Sequence, residues 1–403
     1  MTAAVIDPAL PALPTIFDPV ELSAAFSRPV HADRLRHKQG VSAVARLLPL
    51  DTRRDPAADT TARPGAGAAP RWVATYAPHH APKLGKTLAR AAQHGHDIEV
   101  IALPGHRTLV AGPIGLDMKL HDTLRAFDGH DRLILEPGGV LNYNPHRRVV
   151  FRIETSAGAI VCKAGRTDPA EAAFLADLAA RGVPVLQRII PPDAPQAGAL
   201  RYYPWFGQGD LQEAARRDDP DVARSAHAAG AALALLHAQP THLAPGPGKD
   251  PLDKLRSLDQ RNLHLMPGSQ ARLSSIHAGL VRRLGDDDRT VIVHGDLSAD
   301  QVLVDASHVL LADFDRSTTA PAGTDIGSFI AVDLLQERAS GRKLRGHFLE
   351  GYAAGGGRID NGTVLAWTAV HLLDRLNEPF RSCSPSWRDE TEERLEMLAA
   401  LVA

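Results

Sequence analysis

The chain has 403 residues, 44% hydrophobic and 23% charged, ordinary values for a globular protein with room for several domains or one large bilobal enzyme. Its formal net charge of −2 leaves no global basic field to hold nucleic acid. The two cysteines, Cys162 and Cys383, are too few for a disulfide framework or a Cys-based zinc site; no basic-then-apolar leader opens the chain, and no apolar run reaches the about 20 residues of a membrane helix, so a soluble, cytoplasmic protein is expected.

Residues 1–30 are Pro-rich and apolar, and read as an extended arm with one short helix near 19–26. Residues 51–70 mix Pro, Ala, Gly and charge without periodicity and read as a surface loop. Runs of β-branched residues predict strands at 41–48, 72–77, 98–103 and 108–111, then at 148–154, 159–164, 184–190 and 200–205. Helical spacing appears at 83–94, 116–127 and 169–181. Beyond Gln208 the pattern is mainly helical, with an Ala/Leu face over 222–238, interrupted by short strands at 290–293, 302–304 and 309–313.

The order of elements before Gln208 reads as a duplication, the plainer alternative being two ordinary α+β stretches that happen to agree. The strand 72–77 corresponds to 159–164, and each is followed by a helix; upstream, 36–47 parallels 142–153, and downstream, 115–120 parallels 207–213. Two hairpin-helix-strand-strand units in tandem account for this, and predict an extra α+β unit stacked on the first lobe.

The chemistry concentrates in residues 291–315, VIVHGDLSADQVLVDASHVLLADFD. His294-Gly295-Asp296 ends one strand, Gln301 opens the next and Asp313 ends the third, so acidic and amide groups converge at strand ends. Phosphoryl transfer needs this set, because the protein mainly positions groups and neutralises charge. One carboxylate must take the proton of the attacking hydroxyl, and Asp296 fits that role. A second carboxylate and a neutral oxygen must hold Mg²⁺ against the phosphates, and Asp313 with the Gln301 amide oxygen fits that one.

This segment resembles the aminoglycoside phosphotransferase and choline kinase family, relatives of the protein kinases. The resemblance is carried by His294-Gly295-Asp296-Leu297-Ser298-Ala299-Asp300-Gln301, by Asp313-Phe314-Asp315, by Gly323-Thr324-Asp325-Ile326-Gly327-Ser328, by the helix 231–237, and by Glu378-Pro379-Phe380-Arg381 with Trp387. It extends from about Leu141 to the C-terminus. It implies an α+β, bilobal, protein-kinase-like fold, with a mixed N-lobe sheet and a helical C-lobe, and ATP and Mg²⁺ as cofactors. The acceptor is a small-molecule hydroxyl on an aminoglycoside, aminosugar or sugar. The family usually has Asn where Gln301 stands; maltokinase-like members resemble this chain in carrying Gln.

The resemblance divides the chain into an N-terminal cap (1–130), a nucleotide-binding N-lobe (131–206) and a helical C-lobe (207–403). Lys163, inside an apolar strand, takes the place of the family's phosphate-binding lysine, since an unpaired charge there would be costly. Glu171 is its best-placed helix partner, with Asp168 read as the N-cap and Pro169 as the first helical residue. No Gly-rich loop precedes this hairpin; the turn around Pro145-His146-Arg147-Arg148 stands in its place, and its arginines either face phosphates or belong to a solvated surface turn. Tyr203 and Trp205 occupy the hinge where adenine would be read, or simply belong to the core. In the first copy Tyr76 stands at the position of Lys163, so that copy lacks the phosphate cation and reads as a scaffold or cap.

The acceptor pocket is expected along Trp367, His371, Asp374, Arg375 and Glu378, with Asp325 and Asp333 making an acidic cleft. Three rival readings carry less: a zinc site using His294, Asp296 and His308, a protein kinase, which would need a longer segment between Asp313 and Asp325, and a catalytically weak pseudokinase that only binds nucleotide. Nothing in the sequence sets the oligomeric state.

Overall fold

A computed structural model of the chain describes residues 7–50, 70–93, 95, 97–126, 139–156, 158–166, 168–192, 198–246, 248, 255, 265–284, 290–306, 308–358 and 360–402. Apart from Pro70, the loop expected at 51–70 lies outside these residues. The chain divides into two units, the first made of Met1–Thr167, Ile189–Tyr203 and Glu378–Thr391, the second of Asp168–Arg188, Pro204–Asn377 and Glu392–Ala403.

The first unit opens with α1 (Leu13–Phe17) and α2 (Pro19–Phe26). Asp18 caps α2, its carboxylate accepting the Val20 and Glu21 N–H groups at 2.8 and 3.1 Å, with Pro19 pre-set at the first helical position. A five-stranded antiparallel sheet follows: β1 (Val30–Lys38), β2 (Ser42–Pro49), β3 (Arg71–Tyr76), β4 (Glu99–Leu103) and β5 (Arg107–Pro113), in the order β1-β2-β3-β5-β4, with α3 (Ala81–Gln93) between β3 and β4. The strand β1 escapes periodicity because its register shifts between Asp33 and Arg36, where Arg34 has φ 54°; this bulge breaks the alternation of faces. Past β5, the helix expected at 116–127 shrinks to α4 (His121–Leu124), because the Asp117 side chain bonds the Lys119 N–H at 2.9 Å and holds a turn where the helix would start.

The second sheet is β6 (Val140–Asn144), β7 (Arg148–Thr155), β8 (Gly158–Gly165) and β9 (Leu200–Pro204), in the order β6-β7-β8-β9. The expected strand 184–190 contributes no full strand, but Ile189 bridges antiparallel to Tyr202 of β9. The connectivity therefore repeats that of the first sheet: a three-strand meander, then a last strand placed between the third strand and the one before it. Trp72, Val110, Tyr143, Phe151, Cys162 and Tyr202 share one core. Near the C-terminus, α12 (Glu378–Arg381) and the start of α13 (Trp387–Val402) bring Phe380 and Trp387 against Phe17, with ring centroids 5.1 and 6.4 Å away.

The second unit is mostly helical. It contains α5 (Glu171–Ala180), β10 (Gly209–Asp210), α6 (Leu211–Arg216), α7 (Val222–His237) and α8 (Gln270–Leu284). Then come β11 (Thr290–Val293), β12 (Val302–Asp305), β13 (His308–Leu311), β14 (Thr318–Pro321), α9 (Gly323–Ser340), α10 (Arg345–Ala354) and α11 (Asn361–Asp374). The strands form two small sheets, β10-β12-β13 and β11-β14, seated on a core that includes Leu233, Ile292, Leu297, Phe314, Phe329 and Phe348. Among the described residues no helix is long and apolar enough to cross a membrane.

Candidate active site

The strand β11, buried from Val291 to Val293, ends at His294-Gly295-Asp296. Gly295 turns the chain with φ 83°, and a Cβ there would collide with the Arg316 carbonyl. This turn therefore takes glycine for two reasons, conformation and space. Asp325, fully buried in the first turn of α9, fixes the turn from behind: its two oxygens accept the His294 N–H at 2.7 Å and the Gly295 N–H at 2.8 Å. Its Oδ2 also lies 3.2 Å from His237 Nε2, and His237 Nδ1 lies 3.0 Å from the Tyr352 hydroxyl. His294 donates from Nε2 to the Ala312 carbonyl at 2.7 Å and stacks obliquely on Phe314, centroids 4.6 Å apart. It is a structural histidine, and among the described residues no group of three or more His, Cys, Asp or Glu is gathered to hold a metal, which removes the zinc reading.

Asp296 emerges from this frame half-buried. Its Oδ2 lies 3.2 Å from Arg316 Nη1 and its Oδ1 3.7 Å from Arg375 Nη2, at the end of α11. Burial lifts its carboxyl above the ordinary carboxylate range; Arg316, Arg375 and His294 pull it down, and Asp300 pushes it up again. The balance leaves a carboxylate that is more basic than usual, the direction a proton acceptor requires. Arg316 had no signal in the sequence beyond its place after Asp315.

The loop continues through a tight turn. Ser298 pairs with the Asp300 side chain, the Gln301 N–H donates to the Ser298 carbonyl at 2.9 Å, and Gln301 Nε2 donates to Asp300 Oδ2 at 3.2 Å. The Ala312 N–H donates to the Gln301 carbonyl at 2.9 Å, and Val302 pairs with Leu311. The β12–β13 hairpin thus sets the Gln301 backbone against Ala312, one residue before Asp313. Asp313 does not end the third strand as expected: β13 stops at Leu311, and Asp313 sits beyond it with φ 68°, a backbone state a non-glycine residue holds only where its surroundings impose it. Two oxygen-bearing side chains of hard-donor type, one amide and one carboxylate, fit a magnesium ion that takes its remaining ligands from phosphate and water.

Two other expectations change. Asp325 and Asp333 do not line an open acidic cleft: both are buried, Asp325 under the His294–Gly295 turn and Asp333 against the Leu344 N–H (2.8 Å) and the Arg345 side chain (2.9 Å). These two carboxylates are spent inside the fold. Asp168 does not cap a helix beginning at Pro169; its carboxylate accepts the Ala170 N–H at 2.9 Å in a local turn, and α5 begins at Glu171.

In the first unit, Lys163 lies in β8 opposite Val150 and is 6% exposed. Tyr203 is buried in β9. In the second unit, Glu171 is the buried first residue of α5, with Arg188 Nη1 at 3.9 Å, and Trp205 is half-buried.

The family model of the phosphotransferase enzyme family matches residues 145–372, more than half of the chain. The chain belongs to that family. It is a small-molecule kinase acting on hydroxyl groups. The family lends no support to the pseudokinase reading. No curated protein matches the sequence. Among solved structures, a choline/ethanolamine kinase family protein from Mesorhizobium loti is 15% identical, with 70% of this chain and 92% of that one covered at a TM-score of 0.50. This likeness shows the kinase-like fold. An amicoumacin kinase solved with AMP-PNP and Ca²⁺ is 16% identical over 70% of this chain and 96% of its own, at a TM-score of 0.49.

Proposed function

We propose that the enzyme transfers the γ-phosphoryl group of ATP to a hydroxyl of a small, sugar-like acceptor, with Asp296 as the base. The observation that carries this is the Asp296 frame: a carboxylate raised in basicity, on a turn that Asp325 fixes through two backbone N–H groups. The acceptor oxygen attacks the γ-phosphorus, the bond from that phosphorus to ADP breaks, and the hydroxyl proton passes to Asp296. Arg316 and Arg375 hold the carboxylate and offer positive charge where negative charge gathers. Gln301 and Asp313 would hold Mg²⁺, which neutralises phosphate charge when bound. Lys163 would bind the α- and β-phosphates, with Glu171 orienting it, and Tyr203 and Trp205 would frame the adenine. With Asp325 and Asp333 turned inward and two arginines beside Asp296, a neutral sugar hydroxyl suits the site better than a polycation.

The test is Mg²⁺-dependent ATP turnover across a panel of hydroxylated acceptors, first with the wild type and then with Asp296→Asn. The variant should bind ATP within a few-fold of wild type and turn over roughly 10²–10⁴ times more slowly, the span that loss of a general base gives. Near wild-type turnover in Asp296→Asn would remove Asp296 from the mechanism. The pH profile adds a second check. The working form is the deprotonated one, so activity should fall as pH drops through a value above the ordinary carboxylate range of about 4. Arg375→Ala removes a cation that lowers this value and should move the acidic limb further up; a limb that moves down contradicts the assignment.

A further inference from the structure

The two sheets of the first unit are each preceded by a buried aspartate that does the same thing twice. Asp7 Oδ1 accepts the Ala9 N–H at 3.1 Å, and the Leu10 N–H returns to the Asp7 carbonyl at 3.0 Å. Asp117 Oδ1 accepts the Lys119 N–H at 2.9 Å, and the Leu120 N–H returns to the Asp117 carbonyl at 3.1 Å. Each Asp-x-x-Leu turn is followed by a short helix, α1 or α4. The other oxygen then reaches the turn of the next hairpin. Asp7 Oδ2 accepts the Gly40 N–H at 2.8 Å and lies 2.8 Å from His37 Nε2. Asp117 Oδ2 accepts the His146 N–H at 2.7 Å and the Tyr143 hydroxyl at 2.7 Å. In both turns the bonded N–H belongs to a residue in the left-handed region, Gly40 at φ 67° and His146 at φ 61°. The aspartates are 3% and 0% exposed, so neither carboxylate is satisfied by solvent.

What differs is the sheet each turn serves. The β6–β7 turn belongs to the sheet that carries Lys163, and it contains Arg147 next to His146. A side chain with a Cβ disfavours the left-handed conformation, so His146 keeps it only under constraint. That constraint comes from both sides of one residue: Asp117 takes the His146 N–H, and Arg36 of β1 donates from Nη1 to the His146 carbonyl at 2.9 Å. A flexible glycine loop is replaced here by a turn bolted to the first sheet.

We propose that Asp117 is a positioning residue for nucleotide binding: with Arg36 it holds the β6–β7 turn in the backbone shape that receives the phosphates. This rests on the reading of the second sheet as the ATP-binding sheet. Asp7, holding the equivalent turn of a sheet without the lysine, is the internal control. The experiment is calorimetric titration of the full chain with Mg²⁺·AMP-PNP, for wild type, Asp117→Ala, Asp7→Ala, Arg36→Gln and Lys163→Met, with melting temperatures alongside. Asp117→Ala should bind about ten- to a hundredfold more weakly, the loss expected when a buried charge-assisted bond is removed, and Arg36→Gln severalfold more weakly. Asp7→Ala should melt earlier yet bind as wild type. A purely structural aspartate would lower the melting temperature in both variants and the affinity in neither; that result overturns the proposal, provided Lys163→Met loses binding. Unimpaired binding in Lys163→Met would instead overturn the ATP-sheet reading beneath it. If Asp117→Ala does not fold, Asp117→Asn and Arg36→Gln decide, and wild-type affinity in both ends the idea.

Discussion

The two sheets of the first unit share connectivity and even the aspartate that pins their first turn, yet they differ at the position proposed above to bind phosphate. β8 carries Lys163, buried in an apolar strand. β3 carries Tyr76, half-buried, its hydroxyl 4.0 Å from Met118 Sδ and its phenol pushed up to about 12 by burial and by Asp117. A neutral phenol offers phosphate no positive charge. The family match begins at residue 145, so it takes in the lysine sheet from its first turn onward and leaves the tyrosine sheet outside. A fold can be copied without its chemistry, because the chemistry resides in a few side chains.

The comparison breaks most directly at that position. Lys163→Met should lower ATP-dependent turnover by about 10²–10³, the scale of removing one charge that stabilises a transition state, while Tyr76→Phe should leave turnover within about twofold. Activity assays with any accepted hydroxyl compound suffice. Equal losses in the two variants would mean that the tyrosine sheet takes part in catalysis, and that the lysine is not what separates the copies.

The split between what the sequence announced and what it hid follows the same line. The proposed catalytic segment stood out because His294, Gly295, Asp296, Gln301 and Asp313 lie within one short stretch, and residue types at fixed spacing can be read without a structure. The tandem sheets were legible through WVATYA and AIVCKA, apolar strands whose alternation needs no partner to be recognised. The contacts that frame Asp296 were not, although Asp325 and Arg375 were both expected near the acceptor. Asp325 reaches the loop from 30 residues away, and Arg375 from farther along the chain still. Asp325 looked like a cleft acid because its sequence context carries no sign of burial. Asp117 gave no signal at all, since a lone aspartate before a Met-Lys pair reads as surface until the His146 N–H is seen beside it.

A smaller effect separates the two aspartate clamps by stability. Asp7→Ala strips the acceptor from the Gly40 and Ala9 N–H groups and from His37, and should cost about 1–3 kcal/mol. The Asp7 carboxyl lies below its ordinary value: burial raises it, but the Gly40 N–H, His37 and the Ala9 N–H outweigh that. A carboxyl depressed by folding stabilises the native state above its unfolded value and loses that contribution as pH falls through its native value. The melting difference between wild type and Asp7→Ala should therefore be complete at neutral pH and shrink below about pH 4. A gap that widens on acidification would mean the carboxylate is not what His37 and Gly40 hold.

The finest distinction lies in the backbone of the two pinned turns. Gly40 and His146 hold the same left-handed conformation, but only Gly40 holds it without steric cost. A Cβ at Gly40 would meet no atom within 4 Å, so Gly40→Ala tests conformation alone. Left-handed backbone costs an alanine about 1–2 kcal/mol, and the stiffer unfolded chain returns about 0.4–1 kcal/mol, for a net loss near 1 kcal/mol. His146→Gly runs the other way: the strain is released, the unfolded chain gains freedom, and the His146 ring is lost from its place near Asp117, so the terms nearly cancel. Thermal melting of the two variants should show a drop of a degree or two for Gly40→Ala, and less than that for His146→Gly. If His146→Gly is the more damaging, the imidazole itself supports the turn and adds a side-chain arm to the Asp117 clamp, as His37 does for Asp7.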